Sequence, residues 1–250
     1  MEIIKRNIDA LYFLGDTHGD NLGICWSLRN VGSKVKKAII HVGDFGIGYE
    51  ETRHDELQRL DKVNTKLIES NAYLFVVRGN HDDPSWFDNS NVTSNIIFLK
   101  DHTLLELTLS GKLTKVYCNG GSVSINRLTS TQGVDYWQDE KFTCPSDAEL
   151  LEIPTDLDAI VTHNRPLGCH PTVFNEVVMR SCLEDVTLEF DLRKEQVEMK
   201  RMFDSIRERN NARNNILHYF GHYHWNHKER IGDIAHITLA KFAMAEYKEK

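Results

Sequence analysis

Short apolar and β-branched runs recur along the chain. They predict strands near Leu11–Leu14, Ala38–Val42, Ala72–Val77, Ile96–Leu99, Leu104–Leu109, Leu113–Cys118, Ala159–Thr162, Ile216–Phe220 and Ile234–Leu239. Helical spacing predicts helices over Asp20–Val31, Glu51–Ser70, Asp147–Leu151 and Asp191–Arg209. Leu57, Leu60, Leu67 and Ile68 share one face of the second helix, and Leu192, Met199, Phe203 and Ile206 share one face of the last. The charged residues of Asp191–Arg209 then form its solvated face. The first third of the chain alternates strand and helix, which implies right-handed crossovers and a parallel core. From Ile96 to Gly121 strands follow one another with little between. The mixture is of the α/β class and predicts two facing sheets with helices outside. Pro166–Phe190 has weak periodicity and is expected as a loop or small cap near the site.

Composition narrows the class. Apolar residues make up 40% and charged residues 27%, as in a soluble globular protein, and 250 residues fit one α/β domain spanning 1–250. The net charge of −7 argues against a large nucleic-acid-binding surface. It leaves room for a small basic pocket, or for a nuclease whose metals neutralise the phosphate. Cys25, Cys118, Cys144, Cys169 and Cys182 are odd in number, scattered and without CxxC spacing, which favours reduced thiols. The amino terminus shows no signal-peptide pattern, and no apolar stretch reaches membrane-spanning length. The expected compartment is the cytoplasm, with no membrane partner.

Candidate chemistry sits just past the predicted strands, in Gly15-Asp16-Thr17-His18-Gly19, Gly43-Asp44, Gly79-Asn80-His81-Asp82 and Gly221-His222-Tyr223-His224. Open α/β sheets build their sites outside the carboxyl ends of the strands. Asp16 and His18 alternate along one backbone, so on an extended chain both point to one side and can chelate an ion. His222 and His224 have the same relation. Asn80 offers a neutral amide oxygen, and His163 again follows a short apolar strand. Two cations held about 3.5–4 Å apart can clamp the attacking and leaving oxygens of a phosphoryl displacement. Such a pair needs a bridging ligand, and Asp44 is the candidate. Imidazole mixed with carboxylate suits Mn²⁺, Fe, Zn²⁺, Ni²⁺ or Co²⁺ better than Ca²⁺. Asp16 and His18 alone read equally well as a solvated turn; the four motifs in order do not.

In that order they resemble the calcineurin-like metallophosphoesterase superfamily, whose signature runs Asp-x-His, Gly-Asp, Gly-Asn-His-Asp, a lone His and Gly-x-His-x-His. The resemblance implies a four-layer α/β/β/α sandwich of two mixed sheets flanked by helices, with a di-metal site at the strand ends. It implies that Asp16, His18 and His224 hold one metal, Asn80, His163 and His222 the other, and that Asp44 bridges them. A bridging hydroxide would attack phosphorus. His81 would stabilise the phosphoryl oxygens or protonate the leaving alkoxide, and Asp82 would orient His81. The stretch Gly120-Gly121-Ser122, followed by Trp137 and Glu140, is similar to bacterial and phage members.

The departures also inform. The phosphoprotein-phosphatase branch places a phosphate-gripping arginine where this chain has Gly48, which argues against phosphoprotein substrates. Arg127 and Arg165 are candidate phosphate contacts, although each reads as readily as a surface arginine. His41 alternates away from Asp44 and reads as a core histidine. His54, His102, His170, His218, His227 and His236 read as surface or packing residues, with His170 set apart because a cap would carry it toward the site. Trp137 and Tyr136 read as packing rather than base stacking. The expected function is metal-dependent hydrolysis of a small phosphorylated substrate, with a small phosphodiester or nucleotide favoured over a phosphomonoester or nucleic-acid ends and Mn²⁺ the favoured metal. A non-catalytic scaffold would have lost ligands that are all present here. A structural zinc protein would place thiolates at the site, and the cysteines lie elsewhere.

Overall fold

Alternate strand residues meet in one apolar seam, which sets the layers of the computed structural model; it describes residues 1–29, 32–90, 92–172, 174–210 and 215–248. The elements in chain order are β1 (Glu2–Ile8), β2 (Ala10–Leu14), α1 (Asn21–Arg29), β3 (Lys37–His41), α2 (Arg53–Glu69), β4 (Ala72–Val76), β5 (Ile96–Phe98), β6 (Thr103–Leu109), β7 (Lys112–Cys118), α3 (Asp147–Glu152), β8 (Ala159–Val161), α4 (Glu176–Glu184), α5 (Leu188–Arg209), β9 (Ile216–Phe220), β10 (His227–Ile231), β11 (Ile234–Thr238) and β12 (Met244–Glu246). One sheet has the order β12-β2-β3-β4-β5 and the other β1-β6-β7-β8-β9-β11-β10. β2 through β5 pair in parallel, as do β7, β8 and β9, while β6 with β7 and β10 with β11 are antiparallel.

Leu11 and Phe13 of β2, with Ala38 and Ile40 of β3, point inward. They meet Leu105, Leu107, Val116, Val161 and Tyr219 of the facing sheet. The intervening residues Leu14, Ile39 and Leu74 face outward onto Ile24, Leu28, Leu60 and Val63 of α1 and α2. On the far side Tyr117, Ile160 and Ile216 pack on Met199, Phe203 and Ile206 of α5 and Leu150 of α3. The result is the expected four layers, two mixed sheets between helices. α3 starts with a full capping box between Ser146 and Glu149.

Several expectations need correction. Ile68 is exposed, and Val63 takes the inward place on α2. The predicted end of the first helix at Val31 lies outside the described residues. α5 begins earlier than Asp191, at Leu188, and its Glu195 is buried rather than solvated. β1, β10 and β12 pair at or near sheet edges; their mixed polar sequences gave no clear apolar run. The weakly periodic stretch contains α4, whose Val178 joins Val123, Leu188 and Leu192 in a small cluster. No described helix is long and apolar enough to cross a membrane.

Candidate metal centre

Three parallel strands of the smaller sheet and two of the larger end at one place, and the ligand-type residues follow them directly. Asp16 and His18 come after β2, Asp44 after β3, Asn80 and His81 after β4, His163 after β8, and His222 and His224 after β9. The i, i+2 pairs converge, but not by the alternation of an extended chain. His18, Asp44, His222 and His224 all adopt left-handed backbone, with φ of 46°, 54°, 67° and 52°. Such residues are uncommon and cost free energy, and they gather where function over-determines the backbone. The turns send His222 and His224 to different sides. Ligand atoms of Asp16, His18, Asp44 and His224 lie within 4.8 Å of one another, and those of Asp44, His163 and His222 form a second such group. Asp44 belongs to both.

Hydrogen bonds hold the carboxylates and imidazoles in place. The Asp44 carbonyl accepts the backbone N–H groups of Thr17 and His18. Asp44 Oδ1 accepts the His81 N–H at 2.9 Å and lies 3.2 Å from His163 Nε2. Asp16 Oδ2 accepts the His222 N–H at 2.9 Å, while Asp16 Oδ1 is buried with no hydrogen-bond partner among the described residues. His163 Nδ1 faces the Val42 carbonyl at 3.0 Å, which leaves Nε2 to face the site. Asn80 Oδ1 lies 3.1 Å from His163 Nε2 and 2.9 Å from His222 Nδ1. The Asn80 amide is oriented from behind: its Nδ2 donates to Ser124 Oγ, and Ser124 donates in turn to Glu140. Gly79 is needed here, because a Cβ would lie 2.1 Å from the Asp44 nitrogen.

Burial and neighbouring charges set the protonation of the donors. Burial pushes His18 down to about 4 and His222 to about 3, so both present neutral lone pairs at neutral pH. Burial raises Asp16, with Asp44 adding to the rise against His224 and His163. Burial also opposes the charge on Asp44, but His163, His81 and His18 outweigh it and hold that carboxyl well below its usual range. An orphaned buried carboxylate oxygen and two converging donor sets sharing one aspartate fit a pair of divalent cations.

A cavity of about 280 Å³ opens over this cluster. His18, Asp44, Asn80, His81, His222 and His224 form its floor, and the His81 and His18 rings are 5.4 Å apart. Ile125, Asn126, Asn164, Asn175, Val178, Leu192 and Tyr223 supply the rest. Asn175 caps α4 by accepting the Val178 N–H, and Val178 of α4 and Leu192 of α5 line the cavity.

Asp82 takes a place different from the one expected. Its carboxylate is buried and accepts four backbone N–H groups: Gly46 at 2.7 Å and Ile47 at 3.2 Å on Oδ1, Gly79 at 2.8 Å and Phe45 at 3.3 Å on Oδ2. It ties the Asp44 loop to the Asn80 loop. Arg127 and Arg165 are not in the cavity wall. Arg127 is held by Asp185, Asp191 and Thr187. Arg165 is buried, donates to the Pro166 carbonyl and lies over the Tyr223 ring. Gly48 has φ +92°, its N–H donates to Glu56, and a Cβ would lie 2.5 Å from that of Asp83, so no side chain fits there. His41 is buried against Thr17 Oγ1. Trp137 is buried and stacks on Tyr49. Sequence reasoning passed over Ser124, Asn164 and Tyr223; the only signal was that each adjoins or lies within a motif.

A model of the family described as calcineurin-like phosphoesterase matches residues 10–226. Among solved structures, a predicted phosphoesterase from Streptococcus pneumoniae is 15% identical with a TM-score of 0.35, covering 94% of this chain and 73% of its own. The phosphopantetheinyl hydrolase of Mycobacterium tuberculosis is 14% identical with a TM-score of 0.46, covering 94% and 90%. A third structure, 13% identical with a TM-score of 0.51 over 96% of this chain and 95% of its own, shares the fold. A search of curated proteins returns no significant match.

Proposed function

The chain belongs to the calcineurin-like phosphoesterase family, and from that premise we propose that it hydrolyses a small phosphodiester in the cavity over Asp44. Asp16, His18 and His224 would hold one divalent cation and Asn80, His163 and His222 the other, with Asp44 between. Bound there, the ions would neutralise the phosphoryl oxygens and acidify the attacking water. The chain's own residues do the rest. Asp82 keeps the two ligand loops in register, and Ser124 aims the Asn80 oxygen. His81 lines the floor with its backbone anchored on Asp44, and as imidazolium it would give a proton to the leaving alkoxide, becoming neutral imidazole.

One observation carries the choice of a diester: among the described residues, none lining the cavity is a lysine or arginine, and Lys241 acts on His18 from outside that lining. A monoester carries nearly two negative charges at neutral pH, a diester one. Without a cation in the wall, the extra charge of a monoester falls mainly to ions already shared with Asp16 and Asp44. Ile125, Val178, Leu192 and the Tyr223 ring instead suit a second, uncharged ester group. The volume of about 280 Å³ lies at the small end for ligand sites and suits a small substrate. We place the reaction in the cytoplasm, since the five cysteines form no disulfide among the described residues. Metal-loaded protein assayed on bis-p-nitrophenyl phosphate, p-nitrophenyl phosphate, cyclic nucleotides, dinucleoside polyphosphates and a phosphoserine peptide tests the reading. Diester kcat/KM should exceed monoester kcat/KM by at least about tenfold, a difference of about 1.4 kcal/mol, with the peptide slowest. A monoester preference of that size would refute it.

A further inference from the structure

Outside the cavity, a loop and an edge strand bring three more ligand-type side chains together. His170 lies in the loop beyond Pro166. His227 and Glu229 are two apart on β10, so both project from one face of that strand. One ligand atom from each of His170, His227 and Glu229 lies within 4.8 Å of the other two. His170 Nδ1 is 3.1 Å from Glu229 Oε2, and the His170 backbone N–H donates to Glu229 Oε1. The His227 ring stacks on Trp225 with centroids 4.6 Å apart and planes 10° apart, and lies 6.0 Å from the His170 ring. None of the three lines the cavity over Asp44.

We propose that His170, His227 and Glu229 form a further metal site, distinct from the Asp44 centre, for a transition ion such as Zn²⁺. Two imidazoles and one carboxylate are a borderline-soft set that favours Zn²⁺ over Mg²⁺ or Ca²⁺. Three protein ligands with His170 half open to solvent leave a coordination position for water or an exogenous group. A His170–Glu229 ion pair on an exposed surface stabilises little, and it gives no reason for His227 to converge on the same point. The stacked Trp225 fixes the His227 ring. The site joins the loop after His163 to the strand after His222 and His224, so an ion bound there braces the two segments that carry three ligands of the other centre.

The inference stands apart from the substrate reading, and its test counts metal. The full chain is dialysed against micromolar free Zn²⁺ and bound metal is measured, for wild type, for His170→Ala and for His227→Ala with Glu229→Gln. Wild type should hold one equivalent more than either variant, while phosphodiester turnover with Mn²⁺ stays unchanged in all three. The variants alter two different elements, so a local folding defect in one does not decide the result. Equal Zn²⁺ content in all three proteins would overturn the site.

Discussion

Replacing Asp82 with asparagine separates a loop staple from a catalytic partner of His81. The side chains have the same shape, but asparagine turns one accepting oxygen into a donor. Each Asp82 oxygen accepts two backbone N–H groups, from Gly46 and Ile47 or from Gly79 and Phe45. Asp82→Asn therefore leaves two buried amides facing an NH₂ group. At about 1–3 kcal/mol for each unsatisfied buried donor, the gross loss is about 2–6 kcal/mol. Burial, with the Asp44 charge next, raises the Asp82 carboxyl above its usual range, and asparagine relieves that cost. The net loss should fall near the lower end, about 2–3 kcal/mol. In a protein of this size that lowers Tm by roughly 4–12 °C. The assay is a thermal melt of metal-free protein, followed by metal content and turnover per bound metal. Both Tm and metal content should fall together. A variant with wild-type Tm and full metal content but a much lower kcat would refute the staple and restore a role through His81.

His81→Asn should lower kcat by about 10²–10⁴-fold, the usual range for a general acid, with metal content unchanged. The loss should shrink for leaving groups of low pKa such as nitrophenolate; loss of a metal ion, or unchanged kcat, would sink the assignment. In metal-free protein burial lowers His163, but the charge of Asp44 and its hydrogen bond prevail and hold His163 up to about 9. Below that pH an incoming ion must displace the His163 proton. Affinity at that site should therefore rise with pH, by up to about tenfold per unit, and level off once His163 is neutral. His18 and His222 are already neutral across this range and add no slope. A Mn²⁺ titration at several pH values checks it, and a flat profile would contradict the His163–Asp44 coupling.

Much of the fold was legible because its central strands are continuous apolar runs. β3, β4 and β9 are buried on both faces or nearly so, and each ends two to four positions before a ligand-type residue. Edge strands such as β10, His227–Ile231, expose most of their residues and carry no such pattern. The ligand residues were readable from motif order, but how they converge was not: alternation predicted one shared side for His222 and His224, and left-handed turns separate them. Asp82, Arg127 and Arg165 show the other limit. Their residue types suit catalysis or phosphate binding, and only tertiary contacts assign their partners, which are backbone amides for Asp82, acidic residues for Arg127 and a carbonyl with an aromatic face for Arg165. Ser124 and Glu140 act through Asn80, and nothing in the local sequence joins residues so far apart along the chain.

Metal analysis of protein reconstituted with Mn²⁺ reads whether Asp44 is shared by two cation sites. Mn²⁺ binds imidazole-rich surface sites less tightly than Zn²⁺ does, which keeps the count clean. Wild type should approach two equivalents per chain, and Asp44→Ala should weaken both sites together, whereas Asn80→Ala should weaken one and largely spare the other. Two equivalents bound to Asp44→Ala with wild-type affinity would contradict the shared aspartate.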